Sequence, residues 1–280
     1  MNTVSRFTLR GGASLAILAF VLLLVLLGPL VAPYSPTEIA GPPLSGPTTS
    51  NLLGTDTLGR DVLSRILHGG LLLALLALAS TLITYLIAIP IGMAAAVSKG
   101  AIDDVLMRGV DILVAIPALL TLLVVLSASG NSLPAIVLAT AVVRVPLVAR
   151  VTRAATSEVY AKEFVEAAIV RGERTSSVLF REVLPNIRND VFSTVGLSFT
   201  AAVLLISSLN FLGVGIQPPT PDWGIMISEN RSIFTINPYS VLVPSLLLAL
   251  LTIGISGTWD AFQKPNSASR RRTAELQNEN

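Results

Sequence analysis

Five stretches of this chain contain no Asp, Glu, Lys or Arg: 11–37, 66–98, 112–143, 191–221 and 232–259. Each exceeds the roughly 20 residues that a helix needs to cross the hydrocarbon core of a bilayer. Only 13% of the 280 residues are charged and 52% are hydrophobic, whereas soluble domains carry about 25% charged residues. So few charges cannot solvate the surface of a soluble domain this size. The fold class expected is an all-α membrane protein.

The number of spans follows from the third run and from the positive charges. Ser127-Ala128-Ser129-Gly130-Asn131-Ser132-Leu133-Pro134 interrupts that run with turn chemistry, which reads as a hairpin between two spans or as a break in one helix. Short cytoplasmic loops carry an excess of Lys and Arg. Segment 144–190 holds eight: Arg144, Arg150, Arg153, Lys162, Arg171, Arg174, Arg181 and Arg188. With six spans and an inside N-terminus, this segment, Arg6, Arg10, Lys99, Arg108, Lys264 and Arg270 to Arg272 are all inside, and only Arg60, Arg65 and Arg231 are outside. Five spans would export both segment 144–190 and the C-terminal arginines. The expectation is therefore six spans, at 12–32, 71–97, 105–127, 134–152, 191–212 and 237–259, with both termini cytoplasmic. Residues 1–11 and 263–280 are then cytoplasmic ends of a helical domain at 12–262, with an outside segment at 33–70 and an inside one at 153–190. The first run is too long for a cleaved secretory h-region of about 7–15 residues and reads as an uncleaved anchor. Arg108, Asp111, Arg144 and Arg150 are expected near cytoplasmic helix ends, the arginines snorkelling as anchors and Asp111 pairing with Arg108. Pro90, Pro117 and Pro146 each free a carbonyl and permit a kink.

Several chemistries are excluded. There is no cysteine and one histidine, His68, so disulfides, thiolate metal sites and two-histidine sites are out. The net charge of +2 is spread between apolar runs rather than gathered in a patch for nucleic acid. No Gly-Lys pair occurs, so the chain has no P-loop. Gly254-Ile255-Ser256-Gly257 matches the serine motif of rhomboid proteases, but the only histidine precedes it, reversing their order. Close helix packing by small residues is the reading adopted. The five charge-free runs carry no midplane carboxylate of the kind an ion-coupled secondary transporter uses.

Segment 153–190 carries the chemistry. Tyr160, Phe164, Ala167 and Ala168 recur at helical spacing, and Gly172 is a natural stop. Thr175, Ser176 or Ser177 can cap a second short helix bearing Val178, Leu179, Val183 and Leu184, which Pro185-Asn186 ends. Two short helices joined at a glycine form a knob. Ala167, Ala168 and Gly172 are small enough for another protein to approach closely. An amphipathic hairpin lying on the membrane fits the periodicity equally well.

Glu166-Ala167-Ala168, three residues, Gly172, eleven residues and Leu184-Pro185 resemble the EAA loop of bacterial ABC importer permeases. Phe164 to Asn186 looks like the C-type permease of dipeptide, oligopeptide and nickel importers. Two further blocks agree: Leu53-Gly54-Thr55-Asp56-Thr57-Leu58-Gly59-Arg60-Asp61-Val62-Leu63-Ser64-Arg65, and Phe211-Leu212-Gly213-Val214-Gly215-Ile216-Gln217-Pro218-Pro219 followed by Trp223-Gly224. The three blocks come in family order, and the resemblance covers residues 10 to 262. The chain departs from the pattern at Glu182, at Gly69-Gly70-Leu71-Leu72, at Leu205-Ile206-Ser207-Ser208-Leu209, at Asn210 and over 254–260.

The resemblance implies a type I ABC importer permease in a bacterial cytoplasmic membrane. Its partners would be a homologous second permease, two P-loop ATPases that hold the ATP and Mg, and an extracytoplasmic substrate-binding protein. The chain itself would bind no cofactor and catalyse nothing. Phe164, Glu166, Ala167, Ala168, Gly172, Leu184 and Pro185 would couple it to the ATPases. Ile206, Asn210 and Phe211 are candidates for an apolar path facing the second permease. Gly54, Asp56, Gly59, Arg60 and Asp61 form the outside motif; Asp56, Arg60 and Asp61 are expected to cap and brace the second span. Dipeptides, longer peptides, nickel chelates and haem-like ligands all remain open as substrates, and a non-transport membrane scaffold is the remaining rival.

Overall fold

The computed structural model describes the backbone of residues 3–98 and 100–278 and the side chains of residues 11–98 and 100–263. The side chains of Arg6, Arg10, Lys99, Lys264 and Arg270 to Arg272 lie outside the described residues, as do those of residues 264–280 in the expected tail at 263–280. Among the described residues there is no strand, only the isolated bridges Ile39–Arg60 and Thr55–Asp61. The helices are α1 (Thr3–Val31), α2 (Val62–Val97), α3 (Ala101–Ala115), α4 (Ala118–Ser129), α5 (Leu133–Tyr160), α6 (Glu163–Val170), α7 (Thr175–Val178), α8 (Leu184–Phe192), α9 (Val195–Phe211), α10 (Trp223–Asn230) and α11 (Tyr239–Asn278). A π-helical turn, Leu179–Val183, joins α7 to α8.

Four stretches are long and apolar enough to cross a membrane as single helices: Gly11–Val31, Val62–Val97, Leu133–Tyr160 and Tyr239–Gln263. If each of two bent pairs is one span, the number rises to six: α3 with α4, bent by 90°, and Thr175–Phe192 with α9, bent by 54°. The first bend falls at Ile116 and Pro117, where Ile116 turns extended because a residue before proline is pushed out of the α region. Pro90 and Pro146 stay inside unbroken helices. Helix α5 reaches Tyr160 rather than the expected 152, and α2 begins at Val62 rather than 71. The charges at those ends do not stop a helix that neighbouring helices cover.

The chain divides into two compact units, residues 1–74 with 210–280 and residues 75–209. In the first, α1 packs along α11. A Cβ on Gly11 would sit 2.9 Å from Ala261, one on Gly254 would sit 3.0 Å from the Leu18 backbone, and one on Gly257 would meet Ser14. The pairs 11–261, 14–257 and 18–254 run in opposite directions, so the two helices are antiparallel and residues 11 and 261 lie at the same end. Gly254-Ile255-Ser256-Gly257 is thus a helix-packing surface of the small-residue kind used in membranes.

The second unit has a buried cluster. It runs from Tyr85, Ala88 and Met93 on α2 through Val145, Val148 and Ala149 on α5 to Val165, Ala168, Val183 and Ile187 on the segment after it. Helices α2 and α5 approach closely at Gly92, where a Cβ would lie 2.5 Å from the carbonyl of Ala149 and 2.7 Å from Thr152. Thr84 Oγ1 donates to the Ala141 carbonyl at 3.1 Å, a polar tie between the same helices.

Candidate functional site

The knob is built on the end of α5. The chain leaves that helix at Ala161 and re-enters α6 from Lys162. Helix α6 stops at Gly172, which adopts φ +82°, the left-handed conformation that glycine takes without a Cβ penalty. Its N–H donates to Ile169 O at 2.9 Å, and Glu173 N–H donates to Ala168 O at 3.3 Å. Arg174, not a Ser or Thr side chain, sits at the N-cap of α7, without a capping hydrogen bond.

Two expectations are corrected here. Pro185 does not end a helix. It occupies the first turn of α8, where its missing N–H costs nothing, and the π-helical turn carries the chain into it. Ala168 is fully buried, so its small size lets α6 pack on the core rather than letting a partner approach. Glu166, Ala167, Gly172 and Pro185 are exposed and Leu184 is half-buried. Phe164 is exposed as well, together with Ile169, Val170 and Phe180. Val170 is 81% exposed. The knob therefore combines a buried apolar base (Val165, Ala168, Val178, Val183) with an uncovered apolar tip.

The Gly54–Asp61 motif, expected outside, is a polar brace within the first unit. Asp61 Oδ2 accepts from Ser64 N at 2.8 Å and Ser64 Oγ at 2.7 Å, so Asp61 caps α2. Asp56 accepts from Arg60 Nε at 2.7 Å and Arg65 Nη1 at 2.6 Å, and from the backbone N–H of Leu58 and of Arg60. Burial pushes the Asp56 carboxyl up, but those N–H groups and the two guanidinium charges outweigh it and hold it below the usual carboxylate range. Glu229 of α10 accepts from Arg60 at 3.2 Å and Arg65 at 2.8 Å. Gly54 and Gly59 both have positive φ, +75° and +77°, and a Cβ on Gly59 would meet the Gly41 carbonyl oxygen. The motif's glycines shape the loop and its charges tie that loop to α10.

The three path candidates separate. Ile206 is fully buried, so it presents no side chain to an open path, and its assignment is corrected. Asn210 is 1% exposed, and its Oδ1 accepts from Ile216 N at 2.9 Å, closing the loop after α9. It too is a structural tether. Phe211 is exposed, with the Arg231 guanidinium 6.0 Å from its ring centre. Beside Asn210, Asp222 caps α10 through the N–H groups of Gly224 (2.7 Å) and Ile225 (3.2 Å). Burial pushes its carboxyl up to about 6, against the opposing pull of the Asn210 side chain and those two N–H groups.

Residues 88–264 match the family described as the binding-protein-dependent transport system inner membrane component. The di/tripeptide transport system permease protein DppC of Pseudomonas aeruginosa is 38% identical over 252 residues, 86% of this chain and 83% of that protein. The chain belongs to this permease family. The glutathione transport system permease protein GsiD of Pectobacterium atrosepticum is 31% identical over 66% of this chain and 61% of its own. A dipeptide transport system permease protein DppC of Alkalihalophilus pseudofirmus is 32% identical over 58% of this chain and 53% of its own. Among solved structures, an inward-facing form of the MetNI methionine ABC transporter shares the fold, with a TM-score of 0.56 at 15% identity over 70% of this chain and 94% of that one.

The permease is a multi-pass membrane protein and a transport component of an ABC importer, in a family whose ATPase is a separate subunit. Sequence reasoning missed Val170 and Phe180 at the knob tip and Glu229 in the Asp56 brace. The first two carry no motif signal, only apolar type on a segment otherwise rich in charge. Glu229 lies 164 residues from Arg65, and no local pattern links them. Asp111 was expected to pair with Arg108, but it accepts from Arg150 Nη2 of α5 at 2.6 Å. Packing of α3 against α5 brings that partner within reach.

Proposed function

We propose that this permease, with a homologous second one, forms the path by which short peptides enter a bacterial cell across its cytoplasmic membrane. Two P-loop ATPases holding Mg-ATP dock on the knob, and an extracytoplasmic protein delivers the peptide. The observation that carries the coupling role is the knob itself: an uncovered apolar tip on a buried base that is continuous with α5. Helix α5 is 28 residues long, about 42 Å, so a displacement at the knob is carried along its length. ATP-driven closure would move the knob, and coupling requires the knob to contact the ATPase differently in the two states. The peptide assignment rests on the three relatives, which are named for di/tripeptide, dipeptide and glutathione transport.

The proposed orientation places the knob and both termini in the cytoplasm. The antiparallel pairing of α1 with α11 supports ends on a common side. The chain lacks cysteine, so Glu163→Cys and Thr57→Cys report sidedness directly. In intact cells an impermeant thiol reagent should label position 57 and spare 163; the reverse pattern sinks the topology. Reconstitution with the second permease, the ATPases and the binding protein should give ATP-dependent uptake of labelled di- or tripeptide. Uptake of a nickel chelate or haem in place of peptide would overturn the substrate assignment.

A further inference from the structure

The three arginines of α5 differ in their partners. Arg153 holds Asp103 through Nε at 2.9 Å and Nη2 at 2.6 Å, and Arg150 holds Asp111 at 2.6 Å. Arg144 has no such carboxylate: its Nε and Nη2 are buried and have no hydrogen-bond partner. Its position makes this costly. Arg144 lies 11 residues beyond Leu133, the start of α5, about 16 Å along the helix. It also lies nine residues before the paired Arg153, about 13 Å. Both measures put it near the middle of a hydrocarbon layer about 30 Å thick, too deep for the snorkelling anchor that its type suggested. A guanidinium there faces a protein interior or a water-filled cavity, and it marks a ligand path more often than an anchor.

Its surroundings are hydroxyls. Thr140, one turn toward the outer end of α5, is buried with its oxygen unpartnered, and the buried Ser198 hydroxyl of α9 lies within hydrogen-bonding reach of Tyr85. Tyr85 of α2 is within electrostatic range of Arg144 and lies beside Ser198, and its hydroxyl shares a hydrogen bond with Thr194 at 2.7 Å. The group has spare donors and a net positive charge, and no resident anion among the described residues. Arginine's planar fork matches a carboxylate with two parallel hydrogen bonds. We propose that Arg144, with Thr140 and Ser198, is the subsite that takes the free carboxylate of the transported peptide during its passage. This deepens the peptide-import reading and rests on it. A carboxylate supplied by the second permease is the competing occupant. The half-buried state of Arg144 and its unpartnered Nε and Nη2 favour a ligand that comes and goes over a permanent ion pair.

The test uses the reconstituted complex with its own second permease, ATPases and binding protein. Uptake of alanyl-alanine is compared with that of its C-terminal amide, each at a concentration that saturates the binding protein by its own isotherm. Wild type should favour the free carboxylate. Arg144→Gln should lower the carboxylate-to-amide ratio by about tenfold or more, the worth of a charge-assisted hydrogen bond. Arg144→Lys, which keeps the charge but not the fork, should keep part of the ratio and fall between wild type and Arg144→Gln. An unchanged ratio in Arg144→Gln overturns the proposal. So does equal loss for both peptides with release of the second permease, which makes Arg144 an interface residue. Failure of wild type to import either peptide overturns the peptide reading and the subsite with it, whereas peptide import by wild type with no preference for the free carboxylate overturns the subsite alone.

Discussion

Trp223 donates its indole N–H to the carbonyl oxygen of Ile66 at 2.9 Å. This bond locks the start of α10 against α2, with the ring lying over Gly69 and Gly70. A Cβ on Gly70 would come 2.5 Å from Trp223 Cζ2 and 2.6 Å from Val25 Cγ2, so three elements meet where only hydrogen fits. Trp223 is fully buried and cannot swing away. Gly70→Val should therefore destabilise the permease by about 1–3 kcal/mol through overpacking. The check is the unfolding midpoint of the purified protein in detergent; a midpoint equal to wild type would contradict the packing argument.

Gly172 separates strain from crowding. A Cβ there meets nothing within 4 Å, but φ is +82°, which costs an L-residue about 1–2 kcal/mol and a β-branched one more. Gly172→Val should cut ATP-driven uptake severely while the protein still reaches the membrane. Gly172→Asn, which tolerates the left-handed region, should retain most of it. Equal uptake by the two variants would show that the backbone conformation at the turn does not matter for coupling.

The knob's two faces should respond differently to charge. Val170→Asp and Phe180→Asp alter exposed side chains and should leave the fold intact. Each should weaken ATPase recovery on co-purification by about fivefold or more, as loss of an interface anchor does. Ala168→Arg instead places a guanidinium in the buried base, at a cost of several kcal/mol, and should lower the yield of folded protein. Val170→Asp and Phe180→Asp variants that recover ATPase like wild type would leave the tip without a partner.

The Asp56 brace should fail as a unit. Removing its charge in Asp56→Asn leaves the guanidinium of Arg65, which is fully buried, sharing only Glu229. Breaking a buried pair from one side costs about 3–5 kcal/mol. Because the folded-state carboxyl titrates below its ordinary value, its contribution is present above the unfolded pKa and is lost as pH falls through the folded one. The wild-type unfolding midpoint should drop in strong acid, and Asp56→Asn should remove that part of the fall.

Asp222 gives the opposite slope. Its folded-state carboxyl titrates at about 6 and its ordinary value is 3.8, so the folded state holds the proton more tightly. Its contribution is fully present below the ordinary value and is lost as pH rises through about 6, to the extent of roughly 3 kcal/mol. Between pH 7 and 5 the unfolding midpoint should rise as pH falls. Asp222→Asn keeps an N-cap and should flatten this trend; an unaltered slope in that variant assigns the effect to another group.

Much of the architecture was readable along the chain. The charge-free runs fall on the long apolar helices and the bent pairs because, in lipid, length and apolarity decide what spans. Gly172 was legible as a stop and Asp61 as a brace because caps and left-handed turns depend on a few neighbouring residues. Partner choice was not legible. Asp111 lies three residues from Arg108, yet it reaches Arg150 on another helix. Pro185 reads as a terminator, yet a π-helical turn carries the helix into it.

The sequence by itself determined that this protein is helical, spans a membrane and carries a glycine-jointed knob, since these follow from periodicity, local turn chemistry and the absence of charge. Tertiary structure alone decided which face of each helix is covered. It buried Ile206 and Ala168 and left Val170 and Phe180 bare. It paired two arginines of α5 and left Arg144 without a carboxylate. In a helix where nearly every residue is apolar, composition no longer distinguishes inside from outside, and only the packing of neighbouring helices does so.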